Sequence, residues 1–215
     1  MNVNVRTDTS AAPTSGNRRK KITFAALGAL VVAGAAVALF LPDQKPTLSI
    51  PDRVCAEAVP STHVKALLPE KGEAFEEERA YNFFTGATPK GLGKCDLSGG
   101  GRTLGISYSR IQEREYDREW VRGLASKPGH HPITWGAAGG FVTRNNAALF
   151  VDCPNPKRMN LMEVSVGVGG GPETEDPAIM TELSALAADI ARVVTRDIEL
   201  CKGAEDLPAG DPTAD

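Results

Sequence analysis

The 215-residue chain is 41% hydrophobic and 24% charged, with a formal net charge of −3. That charge is unevenly spread: the first 41 residues hold five basic residues and one acid, leaving 19 basic and 26 acidic residues beyond them. A net of about −7 on the larger part excludes nucleic acid and anionic lipid headgroups as its partners.

Residues 1–21 combine Asn, Thr, Ser, Ala, Gly and Pro with a terminal basic cluster, Arg18-Arg19-Lys20-Lys21. They lack the apolar bulk to offset ordering entropy, so a disordered basic cytoplasmic tail is expected. Residues 22–41 are twenty consecutive uncharged, mostly apolar residues. In a helix these span roughly 30 Å, the hydrocarbon thickness of a bilayer, which predicts a single transmembrane helix. The basic flank stays inside, so the N-terminus is expected in the cytoplasm and the C-terminal part outside. The alternative is secretion after signal cleavage near Ala38, because Ala36-Val37-Ala38 has the form a signal peptidase reads. Against it, the apolar run continues through Leu39, Phe40 and Leu41.

Pro42, Pro46 and Pro51 predict an extended stalk over 42–52. Residues 53–202 are long enough for one domain with one core. Within it, Ser61 is expected to cap a short helix bearing Val64, Leu67 and Leu68, stopped by Pro69. Tyr81, Phe83 and Phe84 follow the acidic run Glu76-Glu77-Glu78; as a strand, Tyr81 and Phe83 share one face and Phe84 takes the other. Core packing is the plain reading of these aromatics; the sharper one makes Tyr81 and Phe84 a ligand or partner contact. Cys95 and Leu97, then Gly99-Gly100-Gly101, then Leu104, Ile106 and Tyr108 read as a hairpin. Tyr116, Trp120, Val121 and Leu124 recur at helical spacing, with Trp120 as core packing beneath that helix.

His130-His131-Pro132 reads as a solvated loop, since adjacent side chains on an extended chain diverge and cannot share one metal. Trp135 is a candidate groove-mouth residue. Segments 141–143 and 147–153 read as a second hairpin, and Met162, Val164, Val166 and Val168 as the clearest strand. Gly167-Val168-Gly169-Gly170-Gly171 fails as a phosphate loop: no Gly-Lys-Ser/Thr follows, and Glu173, Glu175 and Asp176 repel phosphate. Residues 177–197 form the longest predicted helix, and 203–215 a disordered acidic tail. Helix, hairpin, helix, meander, helix gives an α+β fold class with a mostly antiparallel sheet.

Four cysteines beyond the apolar segment predict two disulfides. Three pairings exist in principle; chain order favours Cys55–Cys95 and Cys153–Cys201. There is no CxxC, and no GxSxG, SxxK or HExxH, so no metal, cofactor or catalytic residue is assigned.

The stretch Cys55-Ala-Glu-Ala-Val-Pro-Ser-Thr-His-Val-Lys-Ala-Leu-Leu-Pro69, followed by Cys95, resembles the opening of actinobacterial (Streptomyces-like) lipoprotein-like ectodomains, over about 50 residues. It departs from them in having no lipidated cysteine. The resemblance implies a compact α+β ectodomain and carries over no functional residues. The expected function is a membrane-anchored, extracytoplasmic binding or interaction module of the cell envelope, with a protein or small molecule as partner. The rivals are an extracytoplasmic enzyme, favoured by perturbed titratable groups gathered in one pocket, and an accessory subunit of an envelope complex, favoured by a large exposed apolar patch.

Overall fold

The computed structural model describes residues 45–84, 86, 89–111, 117–154 and 161–214. The expected cytoplasmic tail, the expected span at 22–41 and Tyr116 lie outside them. Among the described residues no helix is long and apolar enough to cross a membrane.

The fold is α+β. Strands β1 (Arg53–Val54) and β2 (Val59–Pro60) make a small ladder, then helix α1 (Thr62–Leu67) follows. Next come β3 (Glu76–Tyr81), β4 (Leu92–Gly99) and β5 (Arg102–Ile111), helix α2 (Arg118–Ala125), and β6 (His131–Trp135), β7 (Ala138–Val142), β8 (Asn146–Asp152) and β9 (Leu161–Gly169). Helix α3 (Pro177–Val193) runs into a π-helical turn, Val194–Ile198, and a two-residue strand β10 (Thr213–Ala214) is the last described element. One antiparallel sheet has the order β10-β6-β7-β8-β9-β5-β4-β3. Two meanders, β3-β4-β5 and β6-β7-β8-β9, are thus joined where β5 pairs with β9, Ile106 opposite Val166 and Ser107 opposite Ser165.

Period-2 alternation sorts the side chains. Leu97, Leu104, Ile106, Tyr108, Leu149, Val164 and Val166 face one way and are buried. Helix α3 covers this face with Leu183, Leu186 and Ile190, all at 0% exposure, and α1 packs Val64 and Leu67 into the same core. Burying a Leu or Ile side chain contributes roughly 1.5–3 kcal/mol, so this layer dominates stability. On the opposite face α2 covers only part of the sheet, packing Val121 onto Ala148, Phe150 and Leu161. Its start is fixed by Asp117, whose carboxylate accepts from the N–H groups of Glu119 and Trp120 at 2.9 and 3.0 Å. Asp176 caps α3 in the same manner through Ala178 N–H, with Pro177 at the first helical position.

Both favoured cysteine pairings are present: Cys55–Cys95 and Cys153–Cys201, with Cα separations of 5.6 and 4.7 Å. Five expectations need correction. The stalk does not stand free from Lys45 on: Leu48 N–H donates to Glu70 O, Gly72 N–H to Pro46 O, and Leu48 and Ile50 pack on the core. Ser61 sits at the N-cap but makes no cap bond, and its hydroxyl is buried without a partner. His131 and Pro132 belong to β6, not to a loop. Gly167 and Gly169 lie within β9, so the glycine-rich turn starts only at Gly170. The acidic tail is held: Arg192 donates to the carbonyls of Pro208, Ala209 and Gly210, and Thr213 pairs with Thr134. Composition alone misses this because one guanidinium fork satisfies three backbone carbonyls at once.

A feature that the sequence does not announce is a left-handed turn of three non-glycine residues, Cys55, Ala56 and Glu57, with φ of 56°, 54° and 62°. Each costs about 1–2 kcal/mol relative to the right-handed form. The Glu77 carboxylate offsets part of that by accepting from Cys55 N–H at 2.7 Å and Ala56 N–H at 2.8 Å.

Candidate open-face binding surface

Beyond Ile111 and Leu161, which pack with α2, the half of the second sheet face made by β3, β4, β5 and β9 carries no packed helix among the described residues. Cross-strand register sets out its rows. One row runs Arg79, Asp96, Gly105, Gly167, Asn146; the next Tyr81, Lys94, Ser107, Ser165, Ala148; the third Leu92, Ser109, Glu163, Phe150. The floor is therefore small and hydroxyl-bearing, bounded by the exposed Tyr81 and Leu92 on one side. On the other side α2 rises over Phe150, against whose ring Trp120 packs edge-on at 5.5 Å. A cleft of about 150 Å³ opens beside that wall, lined by Val121, Gly139, Phe150, Asp152 and Leu161 among others.

Gly105 and Gly167 are direct cross-strand partners. Neither has positive φ; a Cβ on Gly105 would meet nothing within 4 Å, and one on Gly167 only Asn145 O at 3.9 Å. Neither backbone conformation nor packing requires glycine there. Glycine weakens a strand by roughly 0.5–1 kcal/mol relative to Ala, and in strands it often marks close approach by another molecule.

Glu163 stands at the side of this surface next to Phe150, half-buried. Burial raises its carboxyl above the usual range, opposed by the Ser109 hydroxyl, which donates to it over 3.5 Å. Asn146 and Ser165 hydrogen-bond to each other at 3.3–3.4 Å. Two neighbouring cations are engaged elsewhere, Lys94 with Asp96 at 2.9 Å and Arg118 with Asp152.

The other shifted group, Tyr108, faces the opposite way. Burial and then the Glu199 carboxylate push its phenol upward, and its hydroxyl donates to Asn82 O at 2.7 Å. Glu199, with its side chain 1% exposed, accepts from Lys90 N–H, Gly91 N–H and Arg110 and so ties the β3–β4 connection to the end of α3. Tyr108 and Glu163 thus lie on opposite faces of the sheet and do not converge on one pocket. A second polar group joins α1 to α3: His63 Nδ1 meets Glu182 at 2.8 Å, and its Nε2 lies 3.7 Å from Asp189. Among the described residues, no group of three His, Cys, Asp or Glu is arranged to hold a metal.

Of the three predicted contact residues, Tyr81 and Phe84 are 55% and 53% exposed at one end of the edge strand β3. They share that outward position because Asn82, at φ 57°, ends the strand and turns Phe83 into the core at 0% exposure. The expectation that Tyr81 and Phe83 share a face fails for this reason. Trp135 is corrected too: it is 2% exposed on β6, its indole N–H donates to Gly210 O at 2.7 Å, and Arg192 lies 5.1 Å over its ring. It lines no groove mouth and is separated from Tyr81 by five intervening strands. Sequence reasoning missed Gly105, Ser107, Ser109, Glu163 and Ser165, although their alternation with buried residues was visible. What was not visible was that β5 pairs with β9.

The chain matches no protein-family model, no curated protein and no solved structure.

Proposed function

We propose that the chain is a membrane-tethered binding module of the cell envelope, its disulfide-stapled domain outside, and that the open sheet face receives its partner. The disulfides suit an oxidising compartment, and the apolar run at 22–41 with its basic flank supplies a tether and an orientation. One observation carries the assignment of the face: the Gly105–Gly167 pair leaves space that the fold has no use for.

The test is Gly105→Val and Gly167→Val in the full-length anchored chain, followed by crosslinking and recovery from membranes. Valine suits a strand, so the variants are expected to keep or raise thermal stability while losing the partner recovered with the parent chain. Retention of that partner by both variants rejects the face as the binding surface. A reporter fused to the carboxyl end is expected to be active only outside the membrane; activity confined to the cytosol rejects the tether.

A further inference from the structure

We propose that Glu163 is the anchoring carboxylate of this surface and takes the basic side chain of an extended polypeptide partner. The inference rests on the open face being the binding surface. Within the described structure Glu163 is a half-buried acid whose one hydrogen bond, from Ser109, is long at 3.5 Å, and no Lys, Arg or His pairs with it. A carboxylate that has lost solvent and gained no cation is unfavourable until a cation arrives. On the α2 side Arg118 is neutralised by Asp152, so an incoming cation is not repelled by it. The net −7 of the chain beyond residue 41 favours a positively charged partner in the same sense.

Spacing identifies the partner as a polypeptide. Tyr81 lies three strands away from Glu163 in the sheet order β9-β5-β4-β3. Three strand spacings are roughly 14 Å, and four residues of extended chain cover about the same distance with both side chains on one side. A basic residue over Glu163 therefore places the residue four positions on at the exposed Tyr81 and Leu92, where an apolar side chain fits. Between them, Ser109 and Ser107 offer hydroxyls to its amides, and Gly105 and Gly167 lie in the row beyond Ser107 and Ser165.

The full-length chain in lipid nanodiscs is titrated against a fluorescently labelled, end-blocked peptide, Gly-Lys-Ser-Thr-Ser-Leu-Gly, with anisotropy as readout. Saturable binding is expected, weakened at least tenfold by Glu163→Gln and equally by norleucine in place of the peptide's lysine, and reduced by added salt. Thermal melts check that Glu163→Gln is folded. Unchanged binding by Glu163→Gln, equal binding of a peptide with glutamate for lysine, or no binding at all overturns the proposal. So does stronger competition by spermine or a chitosan oligomer than by unlabelled peptide, or formation of a dimer of the chain in place of the peptide complex. If Glu163→Gln keeps the partner recovered from membranes while Gly105→Val loses it, the open-face reading stands and this inference alone falls.

Discussion

Along β9, Met162, Val164, Val166 and Val168 point toward α3 and are buried, whereas Glu163, Ser165 and Gly167 point away, half-buried and largely small. β5 repeats the contrast, with Leu104, Ile106 and Tyr108 inward and Gly105, Ser107 and Ser109 outward. A solvated sheet face is ordinarily stabilised by cross-strand pairs of long or β-branched side chains. Here the outward rows pair glycine with glycine and serine with serine. The inward face is built for cohesion, and the outward face forgoes it.

Substitution on the packed side should break the fold. Glu199→Ala leaves Arg110 and the Lys90 and Gly91 N–H groups without their acceptor. Removing one member of a buried pair costs about 3–5 kcal/mol, to be read as a lowered urea midpoint. A cost below about 1 kcal/mol would mean that the β3–β4 connection is held by other contacts. Next in size, Tyr108→Phe deletes the hydroxyl bonded to Asn82 O and should cost about 1–2 kcal/mol by the same measurement. It leaves the edge-on contact with Phe83 at 5.3 Å intact, so a larger loss would point to the hydroxyl holding Asn82 in its left-handed turn.

The contrast between the faces was partly legible beforehand. Alternation exposed β9, the β4–β5 hairpin and the α3 stripe, and cysteine order gave both disulfides. The site was not legible, because a serine in one strand acquires meaning only from its cross-strand neighbour. Pairing of β5 with β9, about sixty residues apart in sequence, is set by the whole sheet and not by either strand. The corrected expectations share this cause. Trp135 looked available until Gly210 and Arg192 returned from the far end of the chain to cover it. The tail after residue 203 looked unstructured until Arg192 fixed its carbonyls.

On the open face the expected sign reverses. Gly105→Val should raise stability by about 0.5–1 kcal/mol, since it adds strand propensity where nothing obstructs the new side chain. A measured loss of similar size, with a shift in the β5 or β9 amide spectrum, would show that the glycine serves the sheet and not a partner.

Glu163→Gln sharpens the comparison through pH. Burial raises the folded-state pKa of Glu163 above its unfolded value, so the native state holds the proton more tightly than the unfolded chain. Its contribution is most favourable below the unfolded pKa and is lost as pH rises through the folded one. Of the charged groups on the elements beside it, Asp152 on β8 and Arg118 on α2 pair with each other, Arg110 on β5 pairs with Glu199, Arg102 on β5 donates to Leu67 O, and Glu119 and Arg122 lie on α2. Glu163→Gln should therefore gain stability at neutral pH, and that gain should disappear in acid as the parent carboxyl takes up its proton. Paired melting curves across the acid range give the answer. A gain that persists unchanged into acid would place its origin in packing, and a loss at neutral pH would mean that the carboxylate already has a cation beside it.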